Sequence, residues 1–197
     1  MHPAMENLAE DHRTIQRVVD AMHTTAHRLL ANRPVDSDAL RQSVAFLEGF
    51  LEHCHYRKEE EFLFPALTAA HAFIADRPIA ELAADHERSR RHFGELKRAL
   101  RRLDEDGRTA EWDAAVALTR YHTTLSQHIH EEERTCFPYA DRSLDPEELN
   151  LLMLHFANLE AGLDGKPELH ELYEAVAEDV VAALAADEEA VAVSAAV

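Results

Sequence analysis

His55-Tyr56-Arg57-Lys58-Glu59 and His128-Ile129-His130-Glu131-Glu132 each place a glutamate four residues after a histidine. Each runs on, at the same offset, to a Phe-Pro, at Phe64-Pro65 and Phe137-Pro138. Residues four apart share one face of a helix, about 6 Å apart along its axis. An imidazole and a carboxylate set this way can reach one transition-metal ion together. Each pair also has an upstream partner in an Asp-His: His12 lies 43 residues before His55, and His86 lies 42 before His128. The unit His…His-x-x-x-Glu therefore occurs twice, offset by 73 or 74 residues.

The flanking sequence reads as helix. Leu8, His12, Ile15, Val19, Met22, Ala26 and Leu29 follow alternating spacings of four and three, the seam of a bundled helix over Pro3–Ala31. Arg33-Pro34-Val35-Asp36 is a short turn between antiparallel neighbours. A second helix, from Ser37 to Phe64, turns Val44, Leu47, Leu51, His55, Glu59 and Phe62 inward, and Pro65 is expected to bend or break it. The third is expected to start at Asp76-Arg77-Pro78, with Pro78 in its first position, and to stop at Asp106-Gly107. Its stripe is Leu82, His86, Arg90, Phe93, Leu96, Leu100 and Leu103. Thr109 is the expected cap of a fourth helix that carries Leu118, Tyr121, Leu125, His128 and Glu132 up to Pro138.

His12 and His86 stand about 20 residues before the ends of their helices, and His55 and His128 about 18 or 19 after the starts of theirs. In an up-down-up-down four-helix bundle these positions fall at one height, facing one axis. The fold class is thus all-α, with the bundle over residues 3–140. Asp145-Pro146-Glu147-Glu148 has a capping-box pattern and opens a further helix with Leu149, Leu152, Met153 and Phe156 inward. Gly162 to Pro167 interrupts, and a sixth helix runs from Glu168 to Leu184. Residues 145–184 then form an extension packed on the bundle, and 185–197 a frayed tail.

Composition narrows the partners. A formal charge of −18 argues against nucleic acid and anionic membranes. No apolar run reaches the roughly 18 residues that a membrane span needs. Met1-His2-Pro3-Ala4-Met5-Glu6 has no secretory pattern, and Cys54 and Cys136 no disulfide framework, so the default location is cytoplasmic. Imidazole with carboxylate suits iron, manganese or zinc, and two bridging carboxylates favour a paired centre. On this reading His12, His55, His86 and His128 are terminal nitrogen ligands, and Glu59 and Glu132 the bridges. Two bare carboxylates in an apolar core would cost several kcal/mol each, a cost that coordination removes.

The constellation resembles the hemerythrin-like, or HHE cation-binding, proteins. The residues that carry the likeness are Glu10-Asp11-His12, Cys54-His55-Tyr56-Arg57-Lys58-Glu59-Glu60 with Leu63-Phe64-Pro65, Ala84-Asp85-His86-Glu87, and Gln127-His128-Ile129-His130-Glu131-Glu132 with Phe137-Pro138. The resemblance covers residues 6–140, with a less specific likeness from Phe156 to Tyr173, including His170-Glu171. It implies a helical bundle holding two iron ions with an oxo or hydroxo bridge, and small partners such as dioxygen, nitric oxide or peroxide. Oxygen-carrying members place a fifth histidine where this chain has Arg90, which stays protonated and cannot ligate. That departure argues against simple oxygen transport. It opens a second reading, an enzyme acting on peroxide or nitric oxide.

Other side chains are weaker candidates. Glu60 is a possible supplement to Glu59, Tyr121 lines the stripe, and His155, Glu160 and His170 can approach from the C-terminal helices. His23, His53, His122 and His130 read as surface or supporting residues. A ferritin-like carboxylate oxidase needs two Glu-x-x-His units; Glu52-x-x-His55 supplies one, but Leu125 stands where the second needs glutamate.

Overall fold

The computed structural model describes the backbone of residues 1–70, 72–161 and 169–194, and their side chains except at 72–78, 169 and 187–194. Helix α1 spans Pro3–Leu30 and α2 Ser37–Phe46. The second helix continues through π-helical segments Leu47–His55 and Lys58–Leu63 into α3, Phe64–Ala70. Helix α4 spans Ala72–Asp106, and α5 spans Glu111–Glu131. The latter continues through a π-helical segment Glu132–Cys136 into α6, Phe137–Ser143. Helices α7 (Pro146–Glu160) and α8 (Leu169–Ser194) follow. No strand occurs among the described residues.

The seam reading holds. Leu8, Ile15, Val19, Met22, Ala26 and Leu29 of α1 are all buried, as are Leu96, Leu100 and Leu103 of α4 and Leu118, Tyr121 and Leu125 of α5. Helix α5 packs along both α1 and α4, while α8 covers α1 and α2, and α7 lies against α1 and the second π-helical segment. Leu149, Leu152 and Phe156 of α7 are buried, and Asp145 accepts from the amides of Glu147 and Glu148 in the expected capping box.

The two prolines do not end their helices. In each case the residue before the proline donates its amide five residues back, Phe64 to Glu59 and Phe137 to Glu132. A proline ring in a regular helix collides with the carbonyl four residues earlier; a wider turn just ahead of it relieves that crowding. Such π-turns gather at functional sites, and here both contain a glutamate of the repeated motif. The helices therefore run on past the histidines. Their extensions join α7 in a second apolar cluster that includes Met5, Leu8, Leu63, Phe64, Leu67, Phe137 and Phe156. The larger cluster, with Ile15, Phe46, Phe50, Leu96, Tyr121 and Leu125, fills the other side. The histidine layer is thus enclosed between two apolar layers and does not sit at an open end.

Other boundaries shift. Helix α4 begins at Ala72, so Pro78 lies in its second turn, where it removes one backbone bond without stopping the helix. Asp106 ends it as expected, with Gly107 at φ 58 in the left-handed region that favours glycine. Thr109 does not cap α5. It lies inside a 3₁₀ turn, Gly107–Ala110, and its hydroxyl donates to the Asp106 carbonyl. Helix α8 continues past Leu184 to Ser194. The expected break at Gly162–Pro167 lies outside the described residues. So does most of the expected frayed tail, as regards its side chains.

Candidate metal centre

All six motif residues meet in the middle of the bundle, each 2 % exposed or less. His12, His55, Glu59 and Glu132 form one group, and Glu59, His86, His128 and Glu132 a second. Within each group, one donor atom from every residue lies within 4.8 Å of the others. Glu59 divides its oxygens between the two: Oε1 is 3.5 Å from His55 Nε2, and Oε2 is 3.2 Å from His86 Nε2. Glu132 Oε2 stands 3.3 Å from His12 Nε2 and 3.2 Å from His128 Nε2. Both carboxylates therefore span the two histidine pairs.

This arrangement is poorly satisfied by the protein alone. Among the described residues, both oxygens of Glu59, both of Glu132 and Nε2 of His12 are buried without a hydrogen-bond partner. His86 Nε2 faces His128 Nε2 at 3.0 Å. Buried polar groups left unpaired cost on the order of 1–3 kcal/mol each. Mixed imidazole and carboxylate donors aimed at two shared points fit divalent or trivalent cations of the first transition row.

The outward nitrogens explain why the rings point as they do. His12 Nδ1 lies 3.2 Å from Glu133 Oε1, His55 Nδ1 3.1 Å from Asp11 Oδ2, and His86 Nδ1 2.6 Å from Glu60 Oε1. A carboxylate on Nδ1 fixes the proton there and leaves the Nε2 lone pair facing the centre. Tyr56 stacks on His86 with ring centroids 3.8 Å apart, and Phe137 stacks on His12 at 5.3 Å.

Residues 4–140 match the hemerythrin HHE cation binding domain. The chain belongs to that family. It is also 24 % identical over 146 residues to the zinc finger protein BRUTUS of Arabidopsis thaliana, an alignment covering 74 % of this chain and 11 % of that protein. The chain thus spans about a tenth of the length of that relative. Family membership and two converging donor groups make this a metal-binding HHE bundle.

Within the HHE bundle the weaker candidates take definite places. Glu60 does not join the donors; it holds His86 Nδ1 and accepts from Arg90 at 2.8 Å. Arg90 also donates to Glu52 and Glu87 and lies over the Tyr56 ring, so its guanidinium is fully engaged beside the centre. Glu52, the one ferritin-like glutamate, is turned to Arg90 and is not among the converging donors. Tyr121 is buried against Phe93, and His155 stacks on Phe62. Cys54 and Cys136 are buried free thiols, and burial pushes both thiols up, which leaves them inert.

Sequence reasoning missed Lys58 and the pairing role of Asp11, which form a buried charged cluster behind His55 with Glu160 and His170, two of the candidates expected from the C-terminal helices. Lys58 is fully buried; its ammonium donates to Asp11 Oδ2 at 2.7 Å, to Asn7 Oδ1 at 2.9 Å, and to Glu160 of α7. His170 Nε2 of α8 lies 3.2 Å from Asp11 Oδ1. Asp11 thus ties His55 to a lysine and to both C-terminal helices. The available signal was Lys58, three residues after His55 and so on an inward face, a position where a lysine needs buried anions.

With no cation bound, the central groups compete for protons. Burial pushes the Glu132 carboxyl up, and the neighbouring Glu59 charge adds to this, to about 8. Burial opposes protonation of His12, but Glu132 and Glu133 outweigh it and carry the ring to about 10; Glu59 and Glu60 likewise carry His86 to about 9. Burial also acts to raise Glu59, yet His55 and His86 hold it well below the usual carboxylate range. Groups raised in the folded state stabilise it below their unfolded values, and that stabilisation is lost as pH rises through the folded ones. Glu59, being lowered, is already ionised across this window and adds no slope. His55 and His128, lowered by burial, oppose this trend only below their ordinary value, so the metal-free protein is expected to melt at lower temperature as pH rises from about 6.5 to about 9. Cation affinity should climb over the same window, because fewer protons compete for Glu132, His12 and His86. Thermal melts of chelator-stripped protein across this range check the first trend, and a melting point that climbs with pH contradicts it.

Proposed function

We propose that this chain is a non-haem di-iron protein that binds dioxygen, nitric oxide or iron itself, in oxygen or redox sensing or in iron handling. The supporting observation is the division of Glu59 between two histidine pairs, with Glu132 alongside it. His12 with His55 would hold one ion and His86 with His128 the other, and Glu59 and Glu132 would bridge them; manganese and zinc also suit these donors. Bound iron supplies one-electron redox chemistry and coordination positions that a small ligand can take.

The protein's part is to hold, orient and exclude. Asp11, Glu60 and Glu133 keep imidazole lone pairs facing inward, and the two apolar layers keep bulk water out. A groove between α4 and α5 runs beside the centre, lined by His128, Asp85 and Arg88. We take residues 3–140 as the metal-holding bundle, and 145–184 as an extension that bears on it through Glu160 and His170. Charge supports small-molecule partners over nucleic acid or membranes, and a cytoplasmic setting is part of the proposal. Among the described residues no helix is long and apolar enough to cross a membrane.

A second reading, an enzyme that decomposes hydrogen peroxide or reacts with nitric oxide, draws support from Arg90. It occupies the place of a fifth histidine and is bound to Glu52, Glu60 and Glu87, so the His86 half has one nitrogen donor fewer. The optical spectrum of iron-loaded protein before and after each ligand tests both. A ferric pair absorbs in the near ultraviolet, and a stoichiometric change with dioxygen or nitric oxide supports binding. Rapid oxygen evolution from peroxide favours the enzyme. A spectrum indifferent to all three ligands contradicts small-ligand binding and the enzyme, and absence of bound iron contradicts iron handling.

A further inference from the structure

A second group of histidines lies on the outside of the bundle. Asp20, His23 and His27 share one face of α1, and His122 faces them from α5. The His23 and His122 rings are 4.2 Å apart with planes at 12°, and His23 and His27 are 4.8 Å apart at 60°. His122 Nε2 lies 2.7 Å from Asp20 Oδ1. Gln16 also donates to Asp20 Oδ1, so this carboxylate is held from two sides. His23 follows His12 by 11 residues, about 16 Å along the helix, so this group is separate from the centre.

We propose that Asp20, His23, His27 and His122 form an outer, mononuclear site for a late first-row divalent cation such as zinc. Three imidazoles and one carboxylate are borderline donors that suit zinc, copper, nickel or cobalt. Two histidines four apart on a helix can hold one ion between them, as in helical zinc motifs. Here a third histidine and an aspartate complete four donors from two rigid helices. Burial and the nearby His122 and His27 lower His23, against the pull of Asp20, which leaves its ring unprotonated at neutral pH. The net charge of −18 favours any cation near the surface. His23 and His122 are stacked, not splayed round one point, so capture of the ion turns His23 out of the stack. Partly exposed side chains make such rotations in picoseconds to nanoseconds.

Zinc titration of iron-loaded protein, in competition with a chromophoric chelator, tests the site. One zinc per chain should bind in addition to the iron. His23→Ala and His122→Ala should each weaken it at least tenfold without changing iron content, whereas His53→Ala, at an exposed histidine elsewhere, should not. The same titration in a Glu59→Gln/Glu132→Gln background reads the outer site even if the central assignment fails. Absence of an additional zinc, or equal zinc affinity in the His23→Ala/His122→Ala double variant, overturns the proposal.

Discussion

Replacing both Glu59 and Glu132 with glutamine is expected to abolish paired-metal binding, and Glu132→Gln alone to raise the melting temperature of the metal-free protein. The two effects have one cause. Each carboxylate reaches both histidine pairs, so the double variant strips each four-donor group of half its donors and all its negative charge. Without metal, the Glu132 carboxylate is a liability. It is fully buried, both its oxygens lack hydrogen bonds among the described residues, and Glu59, whose own charge His55 and His86 offset, repels it. Burying an uncompensated ion costs several kcal/mol, while a neutral amide of the same shape costs roughly 1–3 kcal/mol. Each kcal/mol recovered is worth about 2–4 °C in a domain of this size. Metal analysis of the double variant and a melt of the stripped Glu132→Gln variant check the two halves. Retention of two ions per chain would sink the bridging assignment. Alanine at His55 or His128 should be milder, because water can replace one nitrogen donor.

Lys58→Met is expected to destabilise the metal-free fold by about 3–5 kcal/mol, the usual consequence of removing one partner from a buried ion cluster. Lys58 is the only ammonium placed on Asp11 and Glu160 among the described residues, and both acids lie out of solvent. Lys58 is also the main influence, against burial, that holds Asp11 far below the usual carboxylate range. A methionine of similar length fills the space but takes the ammonium from both anions, leaving Asp11 to His55 and His170 and Glu160 to the Asn7 amide. Of a typical stability of about 5–15 kcal/mol, that is a large fraction. His55 should suffer as well, since its Nδ1 partner is Asp11. Adding Asp11→Asn and Glu160→Gln to Lys58→Met should recover much of the loss. Urea midpoints of the stripped proteins measure both effects, and a loss under about 1 kcal/mol would show that the cluster is not what holds α7 in place.

The central donors were legible in sequence because two periodicities agreed. His12 and His86 lay on apolar seams, and His55/Glu59 and His128/Glu132 continued the seams of the paired helices at matching depth. What misled was local chemistry read without its surroundings. Pro65 and Pro138 look like helix stops, but π-turns at Glu59 and Glu132 absorb them, and the continued helices close the site from above. Thr109 looks like a cap, yet the chain enters α5 through a 3₁₀ turn that uses its hydroxyl elsewhere. The Asp11–Lys58–Glu160–His170 cluster joins residues up to 159 positions apart, and no local pattern carries that pairing. Glu60 and Glu133, each directly after a motif glutamate, were visible as acids. Their role on His86 and His12 depends on how the helices are rotated.

Anomalous diffraction from crystals of the iron-loaded chain tests the whole construction at once. Two peaks should appear, one against His12 and His55 and one against His86 and His128, with a carboxylate oxygen of Glu59 and of Glu132 on both. A single peak, or ions held anywhere that leaves either glutamate touching only one of them, would contradict the dinuclear account.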